Sequence, residues 1–466
     1  MDLEQALTAY SQSDAYPFHM PGHKRTTKLG MQPYQIDITE IEGFDNLHHA
    51  TGILNKLQQD WAAQYGCQRA YILVNGTTCG NEALIFAATK PGDEVIVARG
   101  SHRSIYHAMA MRGLQPHYLM PQISDEGWME PPTPEEIEAA VIAHPTASTV
   151  IITSPTYEGL CADIRAIADL VHAAGMSLIV DAAHGAHFGM HPAFPQNPIH
   201  QGADGVVVSL HKTLPTFTQT ACLLWQTASR IDPKRIQKYL GYFESSSPSY
   251  VLMASTAIAL RYLQGQGREQ MERYVARLEE FRAHMETLEH LTVACPPGES
   301  DPSKILIRGK SEAYSGEAIM EALRQEDHLE LEMASLHYAL GMTSLMDEEE
   351  GFWRLEKALR RLDLEISGMD KAIDIREVEA FYQTKREVVL PLAEAAEAET
   401  SMCKLSAAAG GVAGGYLNLY PPGVPIYAPG ERLSQAGIDA MEKARAAGYQ
   451  VEGITEEDTI EIITEA

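Results

Sequence analysis

The chain lacks paired cysteines: Cys67, Cys79, Cys161, Cys222, Cys295 and Cys403 are scattered along 466 residues, with no C-x-x-C spacing. That argues against a disulfide framework or a zinc site and predicts reduced thiols in a cytoplasmic protein. Long apolar runs are missing too. None approaches the roughly 20 residues needed to cross a bilayer, so no membrane partner is expected. The opening segment, MDLEQALTAYSQSDAY, is acidic and polar and does not read as a secretory signal. Positive charge is scarce: 36 Lys and Arg against 63 Asp and Glu give a formal net charge of −27. Phosphate backbones require clustered cations, which argues against a nucleic-acid partner. An acidic surface either serves solubility or draws cationic ligands inward.

What is present is an ordinary globular composition, 45% apolar and 21% charged, with length enough for a large core and two domains. The short apolar runs in AYILVNG, DEVIVAR, STVIITSPT, MSLIVDAAHG and DGVVVSLHK alternate with helical patterns such as PEEIEAAVIAH and DIRAIADLVHAAG, the latter closed by Gly175. This alternation predicts an α/β fold, a mostly parallel sheet with helices on both faces. Functional groups in such sheets collect beyond the carboxyl ends of the strands. From REQMERYVARLEEFRAHMETLEHL onward the character changes. That segment reads as a long charged helix leading to a smaller C-terminal α+β domain, with SKILIRG a strand and GFWRLEKALRRLDLEI and PLAEAAEAET helices. The division expected is an N-terminal arm with active-site residues over 1–50, a large domain over 51–300 and a small domain over 301–466.

The chemistry centres on GVVVSLHKTLP, where a buried strand over Val206–Ser209 runs into Lys212. Desolvation can lower a lysine pKa by about 3–5 units. At about 1.36 kcal/mol per unit that is a cost of roughly 4–7 kcal/mol, which a purely structural lysine would not repay. A lysine kept neutral is a nucleophile toward carbonyls. Asp181 closes the preceding strand in LIVDAAHGAH, and pyridoxal phosphate needs this pair: an amine for its aldehyde and a carboxylate for its ring nitrogen. Taken singly, Asp181 fits a turn or helix cap equally well; Lys212 one βα step later favours the cofactor. In LVNGTTCGNEAL, a strand ending at Asn75 is followed by Gly76, Thr77 and Thr78 and then a helix, an entry suited to the cofactor's phosphate. Ser209 and His211 are further candidate phosphate donors. His102, in ARGSHRSIYHA, is placed either flat on the pyridine ring or in a surface loop. No metal is expected, because HGAH and LHH lack a supporting carboxylate and cysteine pattern.

Eight segments occur together: YPFHMPGHK, DITEIEGFDNLHHATG, VNGTTCGN, SPTYEG, DAAHGAH, SLHKTLPTFTQTA, SSSPSYVLMAS and YPPGVPIYAPGE. In kind and order they resemble the Orn/Lys/Arg decarboxylases, pyridoxal-phosphate enzymes of the aspartate-aminotransferase fold, in the short form without an N-terminal wing domain. The resemblance covers almost the whole chain. It implies that Lys212 is the Schiff-base lysine, Asp181 the pyridine partner and His102 the stacking ring. Thr77, Thr78, Ser209 and His211 would hold the phosphate, and His184 would lie beside O3′. It implies a homodimer or larger homo-oligomer in which Ser246 or Ser247 reaches the neighbouring subunit's phosphate. The substrate implied is a basic amino acid, arginine first, otherwise lysine or ornithine. Glu40, Asp45 and Glu431 in these motifs, and Glu244 just before SSSPSYVLMAS, are candidates for its cationic end, each reading more readily as a structural carboxylate; PGHK would line the entrance, with His23 and Lys24 unassigned. Three positions depart from the family pattern: Ala182 replaces an acidic residue, Arg103 a lysine, and AAAGGVAGGYLNLYPPG a less glycine-rich segment. Rival readings are an aminotransferase or other lyase on the same fold, and a catalytically silent regulatory homologue.

Overall fold

The computed structural model describes residues 13–24, 30, 33–310, 314–366, 380–420, 424–446 and 450–464. Its centre is built from α1 (Ile53–Tyr65), β1 (Arg69–Leu73), α2 (Gly76–Ala88), β2 (Glu94–Ala98), α3 (Arg103–Arg112), β3 (Gln115–Leu119), α4 (Pro134–Ala143), β4 (Thr149–Thr153), α5 (Ile164–Ala173), β5 (Ser177–Asp181), β6 (Gly205–Val208) and β7 (Ala221–Trp225). The seven strands form one sheet in the order β1-β7-β6-β5-β4-β2-β3. All pair in parallel except β7, which runs against both neighbours. This is the α/β architecture the alternating pattern predicts.

The apolar runs are continuous because both faces are covered. Alternate side chains enter two cores: Val150, Leu178, Val180, Val206 and Val208 meet α1 and α5 on one side. Ile151, Ile179 and Val207 meet α2 and α3 on the other. Gly80 lets α2 lie directly on the sheet, since a Cβ there would sit 2.7 Å from Leu73 Cδ1 and 2.8 Å from Val207 Cγ1. The N-terminus of α2 is thereby held against the carboxyl edge of the sheet. At the start of α4, Thr133 Oγ1 accepts from the Glu136 amide and Glu136 Oε2 accepts from the Thr133 amide, a reciprocal cap. Thr133→Ala is expected to cost about 1 kcal/mol in urea denaturation, the worth of one such cap.

The charged segment after residue 267 does form a helix, Arg268–Met285, joined through one π-turn to the helix Tyr250–Tyr262. Beyond it, β8 (Leu291–Ala294), β9 (Lys304–Gly309), β10 (Met333–Ala334) and β11 (Ala339–Met342) make an antiparallel sheet in the order β8-β9-β11-β10. SKILIRG thus supplies a strand, as read, and Glu349–Glu365 is the helix expected there. The remainder is a small antiparallel assembly with its own core around Phe381, Leu417, Tyr427 and Met441. The helix expected over PLAEAAEAET is only the single turn Leu392–Ala395. Pairing of Thr400 with Ile463 draws the following residues into a strand and overrides the Ala/Glu helix propensity. All six cysteines are free thiols. Among the described residues, no helix is long and apolar enough to cross a membrane.

Candidate active site

Because β2, β4, β5 and β6 are parallel, their carboxyl ends open on the same side. Beyond that edge lies a cavity of about 400 Å³. Its wall includes Gly76, Thr77, Thr78, His102, Asp181, His184, Ser209, His211 and Lys212, brought from three separate strand ends and the start of α2.

Lys212 leaves β6 through the single turn Leu210–Thr213 and points back over the sheet. Its Nζ lies 3.0 Å from His184 Nε2 and 5.8 Å from the centre of the Tyr157 ring. Burial pulls the amine below the ordinary lysine value, while Asp181 and Glu332 pull it back. Asp181, 2% exposed, is held at both oxygens: Asn81 Nδ2 donates to Oδ2 (2.9 Å) and the Ala183 amide to Oδ1 (3.1 Å). Asn81 also donates to Ser104 Oγ (3.2 Å), and the Ser104 amide donates to His102 Nδ1 (3.2 Å). His102 is therefore the cap of α3, a loop position with a fixed ring. Burial, ahead of the pull of Asp181, lowers its pKa and favours the neutral form.

The start of α2 has no side-chain cap from Asn75. Gly76, at φ +71°, spends its amide on Gln219 O (2.8 Å), in the loop after Lys212. That leaves first-turn amides and the hydroxyls of Thr77, Thr78 and Ser209 at the cavity wall, a donor set suited to an oxyanion. His211 is different. Its Nδ1 faces Thr220 O at 2.9 Å, and burial pushes its pKa down to about 4. With Nδ1–H donating to that carbonyl, Nε2 carries the lone pair, so the ring offers an anion a second proton only once charged. Carboxylate, amine and oxyanion donors thus share one cavity wall. That donor set fits pyridoxal phosphate.

The four carboxylates suggested for the substrate are not in this wall. Glu431 takes Arg99 at both oxygens (2.6 and 2.8 Å) and the Ala428 amide at 2.9 Å. Glu244 takes the amides of Val74, Asn75 and Ser245. Asp45 takes those of Thr51, Gly52 and Leu54. Their lone pairs are already spent within the chain, on backbone amides and, for Glu431, on Arg99, the structural role that stood as their alternative. Glu40 is half-buried with Oε1 unpartnered, also outside the wall. Ser246 and Ser247 are exposed and lie outside the cavity of their own chain. Lys24 is no entrance residue: its buried Nζ donates to Pro17 O, His19 O and Met342 O. The loop before it packs on the lysine turn, where a Cβ at Gly22 would lie 2.8 Å from Thr213 C.

Sequence reasoning missed Asn81, Tyr157, Glu158 and Lys304. Tyr157 and Glu158 lie in the SPTYEG segment just past β4, and Tyr338 donates its hydroxyl to Glu158 Oε1 at 2.6 Å. Lys304 Nζ lies 2.7 Å from His184 Nδ1. Lys304 opens a buried strand, whereas Lys212 follows one. Among the described residues, Glu94, His117 and His144 bring ligand atoms within 4.8 Å of one another. The two imidazoles are stacked 3.5 Å apart at 12°, however, so their in-plane lone pairs run side by side and do not meet on one ion.

Residues 2–301 match the family model described as Orn/Lys/Arg decarboxylase, major domain, and residues 376–457 match its C-terminal domain. The chain is 32% identical to the uncharacterized protein YaaO of Bacillus subtilis, over 97% of this chain and 95% of that one. It is 28% identical to the arginine decarboxylase of Bacillus subtilis, over 99% and 96% of the two chains. Among solved structures it is similar to the constitutive lysine decarboxylase of E. coli, with a TM-score of 0.80 and 20% identity over 99% of this chain and 81% of that one. The fold is thus that of the type I pyridoxal-phosphate enzymes, shared with aminotransferases. With both of its domains matched in order along the chain, this protein belongs to the Orn/Lys/Arg decarboxylase family, the pyridoxal-phosphate-dependent amino-acid carboxy-lyases.

Proposed function

We propose that this chain decarboxylates a basic amino acid, arginine first, to CO2 and the corresponding amine. The observation that carries the reading is the placement of Lys212 and Asp181 in the wall of one cavity, beside an uncapped helix start. When bound, pyridoxal phosphate supplies a sink for the electron pair released as the bond between Cα and the carboxylate breaks. Lys212 Nζ is the attachment point. Asp181, fixed by Asn81 and Ala183, holds a proton at the ring nitrogen. Thr77, Thr78 and Ser209 take the phosphate, and His102 covers the ring. Met120, Met129, Pro131 and Pro132 add an apolar wall that excludes water and limits how the carboxylate is turned. Lys212 Nζ, released when substrate is taken up, and His184 Nε2 are the groups that return a proton to Cα.

A cationic side chain suits this site. Glu130 and Glu158 stand in the wall, within the chain that carries the reaction, where Glu40, Asp45, Glu244 and Glu431 do not. The arginine reading is supported by relatives named arginine decarboxylases, aligned along nearly the full chain. Ser246 and Ser247, exposed in one chain, are proposed to complete the phosphate site of a second copy in a cytoplasmic homodimer.

Purified protein incubated with arginine, lysine or ornithine is the test. The expected result is CO2 with agmatine from arginine, and slower or no release from the other two. Keto acid accompanied by the pyridoxamine form of the cofactor would replace this reading with transamination. Borohydride followed by peptide mapping is expected to fix the cofactor on Lys212; an unmodified lysine would leave only a silent homologue.

A further inference from the structure

Lys304 opens β9, a strand of the antiparallel sheet, yet its side chain ends against the machinery at the parallel one. Its Nζ lies 2.7 Å from His184 Nδ1, while Lys212 Nζ lies 3.0 Å from Nε2 of the same ring. Lys304 is 1% exposed and His184 4%. The stem of Lys304 is threaded over a glycine: at Gly159, where φ is +98°, a Cβ would sit 2.8 Å from Lys304 Cγ. Asp301 N donates to Gly159 O at 2.9 Å, and Arg282 donates to Lys304 O at 2.8 Å, so the backbone on both sides of the contact is fixed. A buried cation brought this far and aimed at one ring nitrogen is costly unless it has a partner or a task.

An imidazole between two amines can be read in two ways. When neutral it has one N–H and one bare nitrogen. Burial and the two flanking lysines drive His184 well below the usual histidine value, so the neutral ring is the one present. In one arrangement Lys304 is the ammonium and donates to Nδ1, which puts the ring proton on Nε2, facing Lys212. In the other the charges are exchanged. The surrounding carboxylates favour the first. Asp301, Glu332 and Glu158 face Lys304, whereas Asp181 and Glu332 face Lys212. Asp181 already accepts two hydrogen bonds. Burial brings Lys304 down only to about 8, which leaves it mostly charged at neutral pH. His102 and His211 also face His184, and both are lowered chiefly by their own burial, so neither adds a competing cation at neutral pH.

We propose that Lys304 is a positioning residue: its ammonium donates to His184 Nδ1, fixes the ring proton on Nε2, and so holds the Lys212 amine unprotonated whenever that amine is free. This deepens the decarboxylase reading and rests on it for its purpose, because Lys212 must be a free, unprotonated amine when the cofactor is first attached and each time product leaves. Without Lys304 the ring is released to carry its proton on Nδ1. Nε2 then accepts, and Lys212 becomes the ammonium.

The test is the pH profile of Lys212 acetylation by trace acetic anhydride, read by mass spectrometry on full-length protein stripped of cofactor. Lys304→Met is expected to raise the midpoint by roughly one pH unit or more, a roughly tenfold loss of free amine near neutrality. Lys304→Arg, which keeps a charged donor, is expected to return the midpoint close to wild type; a merely space-filling role would not separate these two variants. A Met profile superimposed on wild type, or an Arg profile shifted as far as Met, overturns the proposal. Should the Met chain not fold, Lys304→Gln keeps a donor without the charge and is expected to shift the midpoint upward by less. A Gln profile identical to wild type then overturns it. The labelling needs neither cofactor nor turnover. A chain that shows the shift but releases no CO2 therefore sinks the decarboxylase reading alone.

Discussion

Lys212→Ala is expected to lower decarboxylation by about 10²–10⁴-fold, the share usually supplied by one positioned proton-transfer group. Loss of the covalent anchor adds to this, because among the described residues this side chain is the single amine in the cavity wall. Steady-state CO2 release measures the loss, and borohydride should no longer fix the cofactor to the protein at this position. Lys212→Arg sharpens the result. Arginine retains the positive charge but cannot be deprotonated in a protein, so it can neither attack a carbonyl nor shuttle a proton at this site. If Lys212 served only to balance Asp181, the arginine variant would retain activity. Near-normal turnover in that variant would therefore overturn the nucleophile assignment.

The second large effect is on stability. Glu431→Ala is expected to cost about 3–5 kcal/mol in urea denaturation, because it leaves a buried guanidinium without its counter-charge. Arg99 and Glu431 are 1% and 2% exposed, and the pair joins the loop after β2 to the Ala428–Glu431 turn of the C-terminal assembly. The double variant Arg99→Met/Glu431→Leu, apolar at both positions, is expected to recover most of the loss, since the desolvation cost of both ions disappears with the pair. A substrate-binding carboxylate would give the opposite pattern: an altered KM at unchanged stability, and no rescue by changing Arg99. The experiment thus decides between the two roles that the motif YAPGE leaves open.

These residues also show how far the sequence could be read. Five of the seven strands of the sheet were legible because a sheet covered on both faces writes itself as short, uninterrupted apolar runs; β3 and β7 were not among them. Asp181 and Lys212 were legible because consecutive parallel strands deliver their ends to one edge, so position along the chain became position in space. Thr77, Thr78 and Ser209 reached the same cavity wall for that reason. Lys304 did not yield to such reasoning. It approaches from another sheet, and what brings it to His184 is the crossing of two strand systems, with no local spacing to record it. The carboxylates Asp45, Glu244 and Glu431 stayed open between two roles for a different cause. A motif states that an acid is required but not whether its lone pairs face a ligand or the chain's own donors. Of residues 391–400, only the turn Leu392–Ala395 is helical, and strand pairing begins at Thr400.

The glycine at position 22 carries a consequence of its own. With no side chain there, residues 16–24 lie flush on the peptide groups following Lys212, and the Gly22 amide bonds the His211 carbonyl at 2.7 Å. Buried Lys24 rivets that stretch to the antiparallel sheet through Met342 O. Residues 16–24 are therefore a strap across the Lys212 turn, and anyone redesigning them is editing what holds that turn in place.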